Sequence, residues 1–370
     1  MTSTSELRVV IAGGGTGGHL YPGIAVAREL LARRPDARVS FAGTAKGIES
    51  RVIPQEGFAL DLIRSGGLKG KSLADRIRGV LLLPVSFADA RRVLSLRRPH
   101  IVIGVGGYSS GPVVLAAARR GIPTMVLEQN AVPGLTNRRL ARVVGAAAVT
   151  FEGTKQFFGA KGFVSGNPVR REFFERREGR GAANGVRVLV FGGSQGAHAI
   201  NVAMVEAAPQ LAAGGQHFRL THQTGERDVE MVRDGYRRAG LQADVEPFLY
   251  DMGERLGQAD VVVSRAGATT LAELAAAGKP AILVPLPTAT DDHQRRNAEA
   301  VASAGAAEVV LQSALTGSVL ASGILALARD AERRARMASA ARSLARPDAA
   351  RVIVDRALEL VAAAGARDAR

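Results

Sequence analysis

A histidine directly follows a run of glycines near the start of the chain. His19 comes after five glycines within Gly13–Gly18. Glycines let the backbone turn sharply and expose its N–H groups, and a helix N-terminus after such a turn attracts phosphate or another anion. The helix dipole there disfavours an imidazolium ion, so His19 could accept a proton as a general base. The alternative is that His19 only hydrogen-bonds a phosphate or stabilises the loop.

The same arrangement recurs about 180 residues later. Val186–Leu211 again holds an apolar run, a glycine turn, a histidine and an apolar helical pattern, and Ser194 lies in the turn. The second turn therefore predicts a second phosphate-type loop. Two such openings in 370 residues predict two similar α/β domains rather than one large core.

Further polar residues follow other predicted strands, each with a structural alternative. Tyr108 lies in the glycine loop Gly104–Pro112, which is either a ligand loop or a tight turn with a serine cap. Asn130 is either a ligand contact or a turn-former. Arg170 could bind a phosphate or cover a solvated face. Glu273 could hold two ribose hydroxyls, or it could sit in the first turns of its helix because the dipole favours an acid there.

Apolar, strand-like runs alternate with helical patterns along the chain. This alternation predicts parallel sheets that helices cover on both faces. The first helix is expected from Pro22 onward, and residues 349–364 are expected to form a terminal packing helix. Ligands of such sheets bind at the carboxyl ends of the strands, where every glycine loop here is expected. The expected strands are residues 7–12, 38–42, 100–105, 123–127 and 146–151, then 186–191, 217–222, 259–264 and 280–285.

Several classes of protein are disfavoured by residues that the chain lacks. The second expected strand ends at Gly43 and Thr44 without the acid that a nicotinamide enzyme uses to hold a ribose. No Lys–Ser/Thr pair follows the glycines, so the loop is not a P-loop. The acids and histidine at 291–293 have no second ligand at a metal-binding spacing. The chain has no cysteine, which excludes disulfides and thiolate metal sites.

Positive charge is concentrated in the first part of the chain. The net charge is +15, and residues 1–160 carry 22 Lys and Arg against 10 Asp and Glu. Such a domain is expected to meet nucleic acid, an acidic membrane or a phosphorylated substrate, unless its arginines only cover solvated faces. Within residues 64–98, an apolar stripe from Leu73 to Leu82 is bordered by basic residues. The stripe resembles a membrane-surface helix, with an ordinary packed helix as the alternative.

Taken together, the motifs resemble the MurG family of peptidoglycan glycosyltransferases along nearly the whole chain. The resemblance implies an α/β GT-B fold, with two Rossmann-like domains facing across a cleft. It implies an acceptor- and membrane-associated domain at 1–165, a UDP-GlcNAc-binding domain at 166–345, and a helix at 346–370 that packs back on the first domain. The motifs that carry it are GGGTGGHLYPGIAVA, GVGGYSSGPVVLAA, EQNAVPGLTN, GNPVR, FGGSQGAHAIN, HQTG, SRAGATTLAE, GKPAILVPLP and DDHQRRNA.

The resemblance also implies roles for single residues. Thr16, Gly17 and Gly18 would face the sugar and the acceptor phosphates, and Gly106, Gly107 and Tyr108 are acceptor-side candidates. Asn130 would contact the transferred GlcNAc, Arg170 would bind the donor, and Ser194 would hold its phosphates. Leu249 would meet uracil through its backbone, and Gln294 would contact GlcNAc hydroxyls. The segment that would hold the nucleotide, with Glu273 on the ribose, is Gly267, Ala268, Thr269, Thr270, Leu271, Ala272 and Glu273.

The implied reaction is an inverting transfer of GlcNAc from UDP-GlcNAc to the undecaprenyl-pyrophosphoryl-MurNAc-pentapeptide lipid. His19 is the expected base, and no metal is expected to be required, a divalent cation being at most stimulatory. The implied location is the cytoplasmic face of the cell membrane, held peripherally through Lys69–Arg98, with no nucleic-acid partner. The sequence lacks Trp, so Phe87 is the one aromatic candidate for an interfacial anchor. The alternatives are another GT-B glycosyltransferase, or a non-catalytic sensor of a nucleotide sugar.

Overall fold

The computed structural model divides the chain into two compact units. Unit 1 comprises residues 1–169 and 346–370, and unit 2 comprises residues 170–345. The first boundary falls four residues beyond the one expected at 165. The structure describes residues 6–45, 47–66, 81–175, 185–193, 195–289 and 292–368. No helix in these ranges is both long and apolar enough to cross a bilayer.

Unit 1 is built on a parallel sheet of seven strands in the order β3-β2-β1-β4-β5-β6-β7. The order reverses between β1 and β4, and ligands of open α/β sheets bind at this kind of switch point. The strands are β1 (Arg8–Gly13), β2 (Arg38–Gly43), β3 (Ala59–Leu62), β4 (Ile101–Gly106), β5 (Thr124–Glu128), β6 (Ala146–Val149) and β7 (Gly162–Val164). The helices are α1 (Gly17–Arg33), α2 (Glu49–Gln55), α3 (Leu83–Arg97), α4 (Ser110–Arg119) and α5 (Leu135–Leu140).

The central strands of this sheet are covered on both faces. β1 and β4 are buried along almost their whole length, which explains why they are continuous apolar runs without alternation. Separate apolar clusters pack the two faces: Val9 and Ile11 belong to one cluster, and Val10 and Ala12 to the other. The edge strands β3 and β7 were not expected from the sequence. They have four and three residues, too few for a clear hydrophobic period.

The first helix begins at Gly17 rather than at Pro22. Pro22 therefore lies inside α1, buried in its second turn. The expectation treated proline as a helix start, because its fixed φ suits a first turn and it lacks an N–H donor. The consequence is that His19 is the third residue of the helix rather than part of the loop before it.

Unit 2 repeats the architecture with six parallel strands in the order β10-β9-β8-β11-β12-β13. Its switch point lies between β8 and β11, the counterpart of β1 and β4. The strands are β8 (Val186–Phe191), β9 (Phe218–Gln223), β10 (Ala243–Glu246), β11 (Val261–Ser264), β12 (Ala281–Leu283) and β13 (Ala307–Val309). The helices are α6 (His198–Ala213), α7 (Val229–Ala239), α8 (Met252–Gln258), α9 (Ala268–Ala277), α10 (His293–Ser303), α11 (Gly317–Arg329) and α12 (Ala331–Leu344).

The helix after unit 2, α13 (Ala349–Asp368), belongs to the core of unit 1. Ile353, Val354 and Ala357 are buried in the apolar cluster that also contains residues of β1 and α1. Asp355 forms an ion pair of 2.7 Å with Arg33 at the end of α1. Unit 1 is therefore assembled from two segments of the chain that are separated by all of unit 2.

Candidate functional site

The two glycine loops of unit 1 meet at the carboxyl edge of its sheet. The Gly14 N–H donates to the Gly106 carbonyl at 3.3 Å. A Cβ placed on Gly106, whose φ is +103°, would lie 2.6 Å from Cδ2 and 2.9 Å from Nε2 of His19. The imidazole therefore lies against the backbone of Gly106, where only glycine fits. This brings together the expected base and the expected acceptor loop, two elements far apart in the sequence.

A hydroxyl group of the same turn lies next to His19. Thr16 is the residue before α1, and its hydroxyl lies 3.3 Å from Nδ1 of His19. No acid occupies the first turn of α1, so the amino end of the helix keeps its partial positive charge. Thr16 is exposed and Gly17, Gly18 and His19 are half-buried. The first turn of α1 is thus accessible to a ligand, as the sequence predicts.

The loop after β5 is organised by a buried carboxylate. Both oxygens of Glu128 accept hydrogen bonds, from the backbone N–H groups of Asn130 and Gly134 and from the side-chain amides of Asn130 and Asn137, at 2.9–3.2 Å. Burial raises the pKa of Glu128, and these hydrogen bonds oppose the rise. Asn130 is therefore held by its neighbour, so the turn-forming alternative and the ligand-contact alternative are compatible.

Glu49 is a second buried carboxylate in unit 1, and it is not one of the expected site residues. Glu49 accepts from the Gly15 N–H at 2.7 Å, and from the N–H and hydroxyl of Thr44 at 2.9 and 2.7 Å. It ties the first glycine loop to the end of β2. No acid follows β2 directly, and Glu49, the first residue of α2, carries no local sequence signal for this role.

In unit 2, a buried hydrogen-bond network supports the loop after β8. The Asn201 amide donates to the Thr224 carbonyl and to Asp228, at 2.9 and 2.8 Å. Nδ1 of His198, at the first position of α6, also contacts Asp228 at 2.9 Å. A Cβ on Gly196 would clash with the backbone of Thr224. The glycine loop is therefore pressed against the loop after β9, and Asn201 joins the two. Ser194 itself lies outside the described residues.

The network also fixes the protonation of a buried histidine. Because the Asn201 amide donates twice, its oxygen faces Nε2 of His222 at 3.0 Å, and Nε2 must carry the proton. Nδ1 then accepts from the Tyr236 hydroxyl at 2.8 Å. Burial lowers the pKa of His222 to about 3, against the opposing charge of Asp228. His222 is therefore a neutral structural donor and not an acid–base group.

Glu273 is the one acid among the expected site residues, and its pKa is raised. It is the sixth residue of α9, whose first turn contains no acid, so the dipole explanation for its position is wrong. Burial raises its pKa to about 7, Arg170 opposes the rise and Glu172 adds to it. Arg170 forms an ion pair of 3.2 Å with Glu172 and lies over the ring of Phe173. The structure thus places Arg170 and Glu273 in one electrostatic cluster.

The remaining donor-side residues lie at the carboxyl edge of the second sheet. Oε1 of Gln294 accepts from the N–H groups of Ala266 and Leu286, at 3.3 and 3.0 Å, so it bridges the loops after β11 and β12. The side chain of Leu249 is buried, which is compatible with a contact through its backbone alone. Leu271 is different from its neighbours, because its side chain is buried and its N–H is bonded to the Gly267 carbonyl.

The expected membrane segment is only partly described, because residues 67–80 lie outside the described ranges. Over residues 81–98 the structure shows a helix, α3, whose buried side includes Asp89, Val93 and Leu94. Leu81 is 70% exposed. Phe87 packs against the core of unit 1 beneath the Arg119 guanidinium, 5.8 Å from its ring centre. This position does not suit Phe87 as an interfacial anchor.

No group of three or more histidines, cysteines or acids that could hold a metal ion occurs in the described ranges. The expected site residues are mainly glycines, amides and hydroxyls, together with His19, one arginine and one acid with a raised pKa. These groups suit a phosphorylated sugar ligand, because amide dipoles and a guanidinium bind phosphate and a carboxylate binds hydroxyls.

Comparisons with known proteins agree with this chemistry. The glycosyltransferase family 28 N-terminal domain matches residues 9–149, and the family's C-terminal domain matches residues 187–353. A UDP-N-acetylglucosamine–N-acetylmuramyl-(pentapeptide) pyrophosphoryl-undecaprenol N-acetylglucosamine transferase of Anaeromyxobacter sp. (strain K) is 50% identical over 357 residues, 96% of this chain and 93% of the relative. The transferase of the same name from Pelobacter propionicus is 45% identical over 375 residues, 95% of this chain and 99% of the relative.

A solved structure extends the likeness to the fold. The crystal structure of Acinetobacter baumannii MurG is 33% identical and matches with a TM-score of 0.79, over 95% of this chain and 99% of the other. The expected GT-B fold class is confirmed by this match together with the two family 28 domains. The chain belongs to the MurG family of UDP-N-acetylglucosamine–N-acetylmuramyl-(pentapeptide) pyrophosphoryl-undecaprenol N-acetylglucosamine transferases.

Proposed function

We propose that this chain transfers GlcNAc from UDP-GlcNAc to the undecaprenyl-pyrophosphoryl-MurNAc-pentapeptide lipid, called lipid I, and so makes lipid II for peptidoglycan. The observation that carries the proposal is the 45–50% identity, along about 95% of the chain, to transferases named for this reaction. The expected substrate residues that fall in the described ranges also lie at the carboxyl edges of the two sheets, where α/β folds bind their ligands.

In the proposed mechanism, unit 1 supplies the acceptor side and the base. His19 takes the proton from the acceptor hydroxyl as that oxygen attacks the anomeric carbon of GlcNAc and UDP departs from the opposite face. The helix dipole of α1 keeps the imidazole neutral and able to accept this proton. Thr16, Gly17, Gly18, Gly106, Gly107 and Tyr108 are the proposed acceptor-side contacts.

Unit 2 is proposed to hold the donor. Glu273 accepts hydrogen bonds from the ribose, Gln294 contacts the GlcNAc, and the backbone at Leu249 meets uracil. Asn130 is the one proposed GlcNAc contact that comes from unit 1. Arg170, Ser194 and the amino end of α6 stabilise the charge that develops on the leaving diphosphate, as preorganised donors do. We propose that this positive charge makes a metal unnecessary and that a divalent cation is at most stimulatory. The other proposed contacts with the nucleotide are Gly267, Ala268, Thr269, Thr270, Leu271 and Ala272.

We also propose a peripheral position at the cytoplasmic face of the membrane, through Lys69–Arg98 of unit 1. The lipid acceptor requires such a position, and the excess of basic residues in 1–160 suits an anionic surface. The exposed Leu81 lies inside this segment. No nucleic-acid partner is proposed.

The decisive experiment is transfer of radiolabelled GlcNAc from UDP-GlcNAc to a lipid I analogue. We expect turnover that depends on the analogue and yields a labelled lipid II analogue. Transfer to a different acceptor would indicate another GT-B glycosyltransferase. Binding of UDP-GlcNAc without turnover on any acceptor would instead indicate a nucleotide-sugar sensor and would overturn the proposal.

A further inference from the structure

Glu49 is a buried acid that the proposed mechanism does not use. It is the first residue of α2 and is fully inaccessible to solvent. One carboxylate oxygen accepts from the N–H and hydroxyl of Thr44, and the other accepts from the N–H of Gly15. Removing a buried carboxylate of this kind leaves its donors unsatisfied, which costs more than an exposed hydrogen bond does.

The surrounding backbone forms a close-fitting seat for this carboxylate. A Cβ added to Gly14 or to Gly47 would overlap the carboxylate atoms of Glu49, and one added to Gly43 would lie 2.7 Å from its Cγ. The seat is therefore built from three glycines that belong to the glycine loop, to the end of β2 and to the turn before α2. All three can approach the carboxylate only because they lack a side chain.

The position of this seat has a known use in related folds. In a dinucleotide-binding sheet, the crevice between the first glycine loop and the end of the second strand receives the ribose, which an acid after that strand holds. Here the acid comes from α2 and turns inward, and it satisfies protein N–H groups on both sides of that crevice. The crevice of unit 1 is thus filled by the protein's own carboxylate.

We propose that Glu49 is a positioning residue, which occupies the ribose crevice of unit 1 and holds the glycine loop so that His19 faces the acceptor hydroxyl. The inference rests on the proposed function. Glu49 fixes Gly15 from one side, and the Gly106 carbonyl fixes Gly14 from the other. Thr16 and His19 follow immediately, so the loop is set in place before any ligand binds.

The test is the near-isosteric substitution Glu49→Gln, assayed for transfer from UDP-GlcNAc to a lipid I analogue. Glutamine has a single acceptor oxygen, so either Gly15 or Thr44 loses its partner whichever way the amide is turned. We expect kcat to fall on the order of 10- to 100-fold, because small displacements of catalytic groups have effects of this size. The dissociation constant of UDP-GlcNAc, measured by calorimetry, should stay within about twofold of the wild-type value. The proposed nucleotide contacts lie in unit 2, and Asn130, the proposed GlcNAc contact of unit 1, is held by Glu128 rather than by Glu49.

Two further variants test whether the loss of kcat follows from the hydrogen bonds of Glu49. Thr44→Val removes one of the three hydrogen bonds to Glu49, and also the bond that the Thr44 hydroxyl accepts from the Gly47 N–H. It keeps the bond from Gly15 to Glu49, so its loss of kcat should be smaller. Glu56→Gln is the matched control, because Glu56 lies just after α2, is partly exposed and pairs with Arg28 of α1. It should leave kcat and donor binding unchanged, as exposed ion pairs contribute little.

A double substitution separates positioning from a general loss of structure. If Glu49 acts through His19, Glu49→Gln should lower the residual rate of His19→Ala by less than about threefold, since residues of one catalytic unit are non-additive. If the losses of kcat in the two single variants instead multiply in the double variant, the inference is overturned. Wild-type kcat in Glu49→Gln, or a donor affinity that falls in proportion to kcat, would also overturn it.

The proposed function is checked by the wild-type protein in the same assay. Wild-type turnover with an unaffected Glu49→Gln variant would remove the positioning role and leave the transferase function standing. Absence of transfer by the wild-type protein would remove the proposed function and this inference with it.

Discussion

The two units use the same fold but organise their first glycine loop differently. In unit 1 the loop after β1 is held by one carboxylate, Glu49, which fills the crevice beside β2. In unit 2 the loop after β8 is pressed against the backbone of Thr224, and Asn201, Asp228 and His222 form a hydrogen-bond network between this loop and β9. Unit 1 therefore places a carboxylate on the backbone N–H of its glycine loop, whereas in unit 2 the buried acid after β9, Asp228, contacts His198 and Asn201 of α6.

Two units of the same architecture can in this way serve two different purposes, namely presenting the proposed base and binding the donor. A sheet whose crevice is filled can no longer take a nucleotide there, but it can present a rigid catalytic turn. In unit 2 the acid after β9 engages α6 instead, and Glu273 is the acid that we propose to lie near the donor.

The first prediction concerns the base in unit 1. His19→Ala should lower kcat by about 10²–10⁴-fold, as loss of a general base does, and should leave the affinity for UDP-GlcNAc unchanged by calorimetry. His100→Asn is the control, because His100 lies at the opposite edge of the same sheet and bonds only to Arg8 among the described contacts. A loss below about tenfold in His19→Ala would remove it as the base.

The second prediction concerns the network in unit 2. Asn201→Asp replaces the amide donor with a carboxylate that faces Asp228, so two buried acceptors would oppose each other. We expect a loss of about 1–3 kcal/mol in the free energy of unfolding, together with weaker donor binding. Denaturant titration and calorimetry measure the two effects. Gln210→Glu on the exposed side of the same helix should change neither, and equal effects in both variants would contradict the role of the network.

The third prediction uses the neutral state of His222. Burial lowers its pKa to about 3, while an unfolded histidine titrates near its ordinary value. The unfolded chain therefore binds an extra proton below about pH 6.5, and stability is lost as the pH falls from there. The contribution should be about 1.4 kcal/mol per pH unit. In His222→Asn the free energy of unfolding should depend less steeply on pH between 6 and 5, and an unchanged slope would refute the neutral assignment.

The fourth prediction concerns Glu273, whose pKa is raised to about 7. If the ionised carboxylate binds the ribose hydroxyls, affinity for UDP-GlcNAc should rise about tenfold between pH 6 and pH 8. Calorimetry with UDP-GlcNAc rather than UDP avoids titration of a terminal phosphate. Glu273→Gln should bind more weakly and without this dependence. A wild-type affinity independent of pH would argue against the ribose contact.

A smaller change sharpens the same test. Glu172 adds to the raised pKa of Glu273, so Glu172→Gln should move the midpoint of the pH dependence to lower pH. The expected shift is modest, because Glu172 is about half exposed and paired with Arg170. A shift to higher pH would contradict the electrostatic cluster.

The elements of the fold that could be predicted from the sequence are those whose residues lie close together along the chain. Strand–glycine–helix segments are local, so β1, β8 and their loops were expected within one residue of where they occur. The start of α1 was missed because Pro22 resembles a helix start, although the structure accommodates it in the second turn. The short edge strands β3, β7, β10 and β13 carry too few residues for a periodic pattern.

The supporting residues of the site were missed for a different reason. The Glu49 carboxylate binds the N–H of Gly15, which is 34 positions away, and Asp228 meets the amide of Asn201 across 27 positions. Partners at this separation are selected by strand order, which no local motif encodes. Backbone partners leave even less trace, because every residue type carries the same N–H group.

The helix α13 has a consequence for how the protein is made. Residues 349–368 leave the ribosome after all of unit 2, yet Ile353, Val354 and Ala357 complete the core of unit 1. While unit 2 is synthesised, the amino-terminal sheet therefore lacks part of the cover on one apolar side, where α1 already packs. Unit 1 is thus the first unit to be synthesised and the last to be completed. A chain that ends before residue 349 is expected to contain a complete unit 2 and an incomplete unit 1 that is prone to aggregate.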